Sequence, residues 1–174
     1  MNLPNKLTVL RIIMVPFFIA AYMEKWFFVA FVLFIVASLT DMLDGKIARA
    51  RNLVTNFGKI MDPLADKILV YSALCLFVEN GTIPGWTLII ILAREFVVSG
   101  MRTVAASEGI VIAAAMSGKI KTVLQMIAVI ILIIAVGPVP QLKMIGMLVF
   151  WASLVMTVYS GAEYVLKNKS VFSM

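Results

Sequence analysis

The chain has no histidine and only one cysteine, Cys75, in 174 residues. Those scarcities exclude Ser-His-Asp triads, zinc fingers and any disulfide framework. A metal held by this sequence must be held by oxygen, which favours a hard cation such as Mg²⁺ or Mn²⁺. Charge is scarce too, at 14% of residues, with nine acidic side chains in all. With 63% hydrophobic residues and a mean hydropathy of +1.06, an ordinary soluble domain is excluded. The composition is that of an integral membrane protein. A membrane helix needs about 20 apolar residues, so the length allows about six crossings with short connections, a single membrane domain over 1–174 and no sizeable soluble part. The net charge of +6 does not point to nucleic acid. The basic residues lie at helix ends and beside an acidic cluster, which suits an anionic membrane surface or phosphate-bearing substrates.

What is present, in chain order, is a series of apolar runs punctuated by proline and glycine. Residues 1–11 carry Pro4, Asn5, Lys6 and Arg11 among apolar positions and suggest a short interfacial segment feeding the first span. A signal peptide is the other reading of this start, but no cleavage site follows. The pattern predicts an all-α bundle of six crossings at 7–23, 27–50, 58–78, 86–106, 117–136 and 143–165. Gly81, Pro84 and Gly85 separate the third and fourth, and Gly137, Pro138 and Pro140 the fifth and sixth. Charge-free runs are short in the first four spans and reach membrane length only in the last two, at 122–142 and 144–162. The charged ends of the first four are therefore expected to line a shared polar cavity. With alternating spans, most lysines and arginines fall on one side and Lys25 and Lys143 on the other. That places both termini and the acidic cluster in the cytoplasm of a cell-membrane protein. Trp26, Trp86 and Trp151 suit interfacial anchoring, and the methionines and phenylalanines need no special role.

Four of the nine acidic residues fall in one stretch, Asp41-x-x-Asp44-Gly45-x-x-Ala48-Arg49, then Gly58-x-x-x-Asp62-x-x-x-Asp66. Asp41 and Asp44 share one helix face at i, i+3; Asp62 and Asp66 share another at i, i+4. Neighbouring antiparallel helices can bring the two pairs together. Four converging carboxylates repel, and divalent cations, as a pair, relieve that repulsion and suit in-line displacement at phosphorus. Gly45 and Gly58 allow close backbone approach, Arg49 can pair with phosphate oxygens, and Pro63 is expected to kink its helix. The plain alternative is a set of intramembrane salt bridges, Asp41 or Asp44 with Lys46, Arg49 or Lys67.

This stretch resembles, without a departure, the signature of the CDP-alcohol phosphatidyltransferases. The resemblance implies a dimeric six-helix membrane enzyme that moves a phosphatidyl group from CDP-diacylglycerol to an alcohol and releases CMP. On the family pattern Asp41, Asp44 and Asp62 are metal ligands, and Asp66 both touches a metal and acts as the base on the acceptor hydroxyl. Gly45, Arg49 and Thr55 would hold the CDP portion; Thr55 is equally a helix cap or loop residue.

A cationic pocket suits an acceptor that itself carries phosphate, and Arg94, Arg102, Lys119, Lys121 and Lys67 supply the charge. The segments IPGWTLIIILAREFVVSGMRTVAA, SGKIKT and NLPNKLTVLRI resemble the branch of the family whose acceptor is sn-glycerol 3-phosphate. Each basic residue has a simpler use: Arg94 as a partner of Glu95 or Glu163, and Lys119 and Lys121 as cytoplasmic anchors. The rival functions are a relative that uses serine or inositol phosphate and, from another class, a divalent-cation transporter. A transporter predicts carboxylates spread through the bilayer depth, whereas these crowd the ends of two helices.

Overall fold

The computed structural model describes residues 3–50, 56–110, 112–113 and 115–169; at 3–4, 41–50, 56–57 and 59–60 it describes the backbone alone. The described chain is all-helical: α1 (Leu3–Met23), α2 (Phe27–Ala50), α3 (Asn56–Glu79), α4 (Gly85–Ser107), α5 (Met116–Val136), a 3₁₀ turn at Pro140–Leu142, and α6 (Lys143–Lys167). No strand occurs among the described residues. The expected interfacial segment is not a separate element, because α1 is unbroken from Leu3 and residues 3–11 are its first turns. Pro16 and Pro63 both lie inside helices, α1 and α3, that continue through them. Each removes one backbone donor without ending the helix.

Among the described residues three stretches are long and apolar enough to cross a membrane: Asn5–Met23, Met116–Val136 and Pro140–Lys167. Phe27–Thr40 is apolar but shorter. Large apolar side chains face outward on these helices and on α4, among them Phe28 (72% exposed), Phe96 of α4 (72%) and Met144 (74%). Exposure on that scale fits a lipid surround.

Three helices end in the same hydrogen-bond pattern. In α3, Gly81 donates to the Val78 carbonyl (3.1 Å) and Thr82 to Phe77 (2.8 Å); in the turn after α4, Gly109 donates to Ala106 (3.1 Å) and Ile110 to Ala105 (2.8 Å). Both glycines have φ of +72°, the left-handed geometry of a Schellman stop. The end of α1 repeats it, with Lys25 donating to Tyr22 (3.0 Å) and Trp26 to Ala21 (2.8 Å), but the left-handed residue is Lys25, at φ +63°. A side chain there costs roughly 1–2 kcal/mol that glycine avoids.

The chain divides into two compact units. The first holds residues 1–82 and 129–143, so α1, α2, α3 and the second half of α5. Its core is aromatic, with Phe18 against Phe34 (5.7 Å between centroids) and Tyr22 against Phe27 (5.4 Å) and Phe77 (6.0 Å). Ala30, Ala37, Ala65 and Ala73 are fully buried and let the helices approach closely. A Cβ on Gly137 would lie 2.5 Å from Phe27 Cβ, so only glycine fits that turn.

The second unit holds residues 83–128 and 144–174, so α4, the first half of α5 and α6. Its inward faces keep a spacing of four then three. On α6 the buried positions include Gly146, Phe150, Ser153, Thr157, Ser160 and Tyr164. On α4 they are Thr87, Ile91, Val98, Met101 and Ala105, with Arg94 falling on the same stripe. The buried hydroxyls bond back onto their own helix, Ser153 to the Phe150 carbonyl (2.7 Å), Thr157 to Ser153 (2.7 Å) and Ser160 to Thr157 (3.2 Å). Each is thereby satisfied without a partner on another helix.

Candidate active site

The acidic cluster belongs to the first unit, where the α2 backbone is helical through Asp41 and Asp44 to Ala50, and α3 carries Asp62 and Asp66 one turn apart. Both α3 carboxylates are half-buried beside the fully buried Ala65. The side chains of Asp41, Asp44, Gly45 and Arg49 lie outside the described residues, as does Thr55. Their convergence on the α3 pair therefore stays an expectation from the sequence. Gly58 is buried and Lys67 half-buried.

Helix α1 forms a wall of this site that the sequence reading did not include. Asn5, Thr8 and Arg11 recur every three residues along α1 and are 7%, 0% and 0% exposed. A buried polar stripe is costly in an apolar bundle unless it meets polar partners, and it does. The Thr8 hydroxyl donates to Asp62 Oδ1 at 2.6 Å, and Arg11 Nε donates to the Ala37 carbonyl of α2 at 3.2 Å. The spacing Asn5-x-x-Thr8-x-x-Arg11 was the available signal, masked by reading Lys6 and Arg11 as membrane-surface charges. The hydroxyl occupies one lone pair of Asp62 and leaves the carboxylate capacity for other ligands. An oxygen-only set of this kind, with no histidine or thiol in reach, is chemically suited to hard divalent cations.

In the second unit α4 and α5 bring Arg94 and Lys121 to one carboxylate. Arg94 Nη1 lies 2.8 Å from Glu95 Oε1 and Lys121 Nζ lies 2.6 Å from the same oxygen. The three side chains are 14%, 5% and 12% exposed, in the order Arg94, Lys121, Glu95. Two cations share one carboxylate, and Arg94 Nε is buried with no hydrogen-bond partner among the described residues. Glycines make this arrangement possible: a Cβ on Gly118 would sit 3.2 Å from Arg94 Nη2, and one on Gly161 would sit 2.9 Å from Arg94 Cγ.

The other basic residues are placed differently. Arg102, two turns further along α4 or about 12 Å by helical rise, is exposed. It donates from Nε to the Tyr164 hydroxyl at 3.1 Å, with its guanidinium 5.4 Å from the centre of that ring. Lys119 is exposed. Lys67 belongs to the first unit. Arg94 does pair with Glu95, as its simpler reading has it, while Glu163 is taken by the Ser117 hydroxyl and by Lys167 Nζ (2.6 Å). Lys121 is buried rather than a surface anchor. Local sequence offers Glu95 as a partner for Arg94; its bond to Lys121, 26 residues on, has no local signal.

A family model described as CDP-alcohol phosphatidyltransferase matches residues 1–159. The chain belongs to the CDP-alcohol phosphatidyltransferase family. Within that family it is 43% identical to a CDP-diacylglycerol–glycerol-3-phosphate 3-phosphatidyltransferase of Bacillus subtilis, over 96% of this chain and 95% of that one. A protein of the same name from Rickettsia felis is 36% identical over 98% of this chain and 97% of its own length. A probable phosphatidylglycerophosphate synthase of Mycobacterium tuberculosis is 36% identical over 95% of this chain and 81% of its own. The phosphatidyltransferase is thus matched along nearly its whole length, the described helices included.

Proposed function

We propose that this phosphatidyltransferase transfers the phosphatidyl group of CDP-diacylglycerol to sn-glycerol 3-phosphate, giving phosphatidylglycerophosphate and CMP in phospholipid biosynthesis. The observation that carries the reading is the 43% identity, at nearly full length on both sides, to the Bacillus subtilis protein of that name. The buried Arg94–Glu95–Lys121 group, which brings two cations to one carboxylate, supports an acceptor that is itself a phosphate ester.

In this reading Asp41, Asp44, Asp62 and Asp66 hold two divalent ions, Mg²⁺ or Mn²⁺, which when bound offset the charge developing on the phosphate oxygens. Gly45, Arg49 and Thr55 hold the CDP portion. Arg94 and Lys121, paired through Glu95, bind the acceptor phosphate, and Arg102, Lys119 and Lys67 add positive charge that attracts it. Thr8 fixes the Asp62 carboxylate, so its second oxygen keeps a constant direction. Asp66 takes the proton from the C1 hydroxyl of glycerol 3-phosphate. That oxygen bonds to the phosphorus carrying diacylglycerol as the bond from this phosphorus to the oxygen of CMP breaks. Orientation and fixed charge supply most of the acceleration.

The same reading takes 1–174 as one domain of six crossings, α1 to α6, in the cell membrane. Both termini and the acidic cluster face the cytoplasm, and the working protein is a homodimer among membrane lipids. Clustered basic residues on one side support the orientation.

The test is CMP release by the purified protein with CDP-diacylglycerol and a panel of acceptors: glycerol 3-phosphate, serine, inositol phosphate and inositol. Turnover is expected with glycerol 3-phosphate alone, and equal turnover with serine would overturn the acceptor assignment. Asp66→Asn is expected to lose turnover while retaining CDP-diacylglycerol binding. Full activity in that variant removes Asp66 from the chemistry.

A further inference from the structure

The first unit has a second polar site, far from the acidic cluster. Tyr22 follows Thr8 by 14 residues on α1, about 21 Å at 1.5 Å per residue. Around it, where α1 and α3 end and α2 begins, lies a cavity of about 370 Å³ lined by Tyr22, Lys25, Phe27, Glu79, Asn80 and Val136, with others. That volume falls within the range of small-ligand sites, roughly 300–1,000 Å³. A smaller cavity of about 300 Å³ adjoins it through Lys25 and Phe27, with Trp26, Phe28 and Pro138 as apolar walls.

Two observations make this more than a gap between helix ends. Lys25 and Glu79 line the same cavity with opposite charges, yet neither takes part in a salt bridge among the described residues. Both are exposed at the cavity, and two unpaired charges of opposite sign on one cavity match a ligand that carries both signs itself. The second observation is Lys25's backbone. Two other helix stops of this chain use glycine at the left-handed position, and this one uses lysine at φ +63°. Backbone strain of that kind clusters at ligand-binding sites, and the Lys25 side chain borders both cavities together with Phe27.

We propose that this end of the first unit binds the headgroup of a zwitterionic phospholipid, the phosphate at Lys25 and the ammonium at Glu79. The larger cavity receives the headgroup, with the Asn80 amide, which donates to the buried Tyr22 hydroxyl, closing its floor. The smaller cavity receives the start of the acyl chains along Trp26 and Phe28, which are 64% and 72% exposed. The lipid is a resident ligand of the leaflet away from Asp62 and not a substrate.

The experiment uses delipidated full-length protein in detergent, titrated with dioleoyl phosphatidylethanolamine and, separately, dioleoyl phosphatidylglycerol, with bound lipid counted by native mass spectrometry. The wild type is expected to prefer phosphatidylethanolamine. Lys25→Gly relieves the backbone strain, so its unfolding temperature stays at or above that of the wild type while phosphatidylethanolamine binding weakens about tenfold, the effect of roughly 1.4 kcal/mol. Glu79→Gln is expected to abolish the preference between the two lipids. Equal phosphatidylethanolamine binding by the wild type and Lys25→Gly overturns the proposal, as does a wild-type preference for phosphatidylglycerol. A change confined to the monomer–dimer distribution also overturns it and assigns the cavity to a second copy of the chain.

Discussion

Thr8 is a small residue in an apolar helix, and its hydroxyl reaches across 54 positions of sequence to one oxygen of Asp62. Thr8 is fully buried and Asp62 half-buried, so the bond restrains the carboxylate where it meets α1. Groups that orient a metal-binding carboxylate typically change metal affinity or activity by about 10–100-fold when removed. Thr8→Val keeps the shape and deletes the donor. It should lower CMP release at least tenfold and weaken Mn²⁺ binding, read by electron paramagnetic resonance, by a similar factor. Thr8→Ser restores the donor and should restore both. Unchanged Mn²⁺ affinity in Thr8→Val would leave Thr8 with packing alone.

At the scale of the element, α4, α5 and α6 hold Arg94 by leaving room for it. Gly161 is half-buried on α6, and a methyl group there would fall 2.9 Å from Arg94 Cγ. The methyl cannot be accommodated at the chain's flexible tip, so the guanidinium itself must shift, at the roughly 1–3 kcal/mol typical of overpacking. Gly161→Ala should therefore raise KM for glycerol 3-phosphate roughly tenfold while kcat stays near that of the wild type, the pattern of lost uniform binding. Steady-state kinetics at saturating CDP-diacylglycerol separates the two. A fall in kcat with KM unchanged would place Arg94 outside the acceptor site.

Helix boundaries are the most legible part of the fold, because charged residues, proline and glycine interrupt the apolar runs. The second span was placed at 27–50 and α2 is Phe27–Ala50; the fifth was placed at 117–136 and α5 is Met116–Val136. The start of α1 was misread because Pro4 and Lys6 look like an interfacial boundary, yet proline is tolerated in a first turn. The acidic signature was legible from spacing alone. What spacing does not carry is which distant side chain meets it. Thr8 with Asp62 and Lys121 with Glu95 are products of helix packing, and Lys25 occupies a conformation for which glycine is the usual marker.

For the molecule as a whole, concentrated like charge is the governing feature. On the proposed reading the four Asp of the signature repel one another without counter-ions, so a cation bound only by the folded state would both enable turnover and stabilise the fold. Chelation with EDTA should abolish CMP release and lower the unfolding temperature. Either Mg²⁺ or Mn²⁺ should restore both. Loss of activity with no change in unfolding temperature would place the required ion outside the folded cluster, for instance on the nucleotide.

The hydroxyls of α6 lead to a last consequence. Ser153, Thr157 and Ser160 spend their protons on carbonyls of their own helix, so at these three levels the inward stripe grips its surroundings through surface fit alone. Turning or gliding of α6 along its length breaks no bond there, and the side-chain bonds that resist it gather near its C-terminal end, Tyr164 with Arg102 and Glu163 with Ser117.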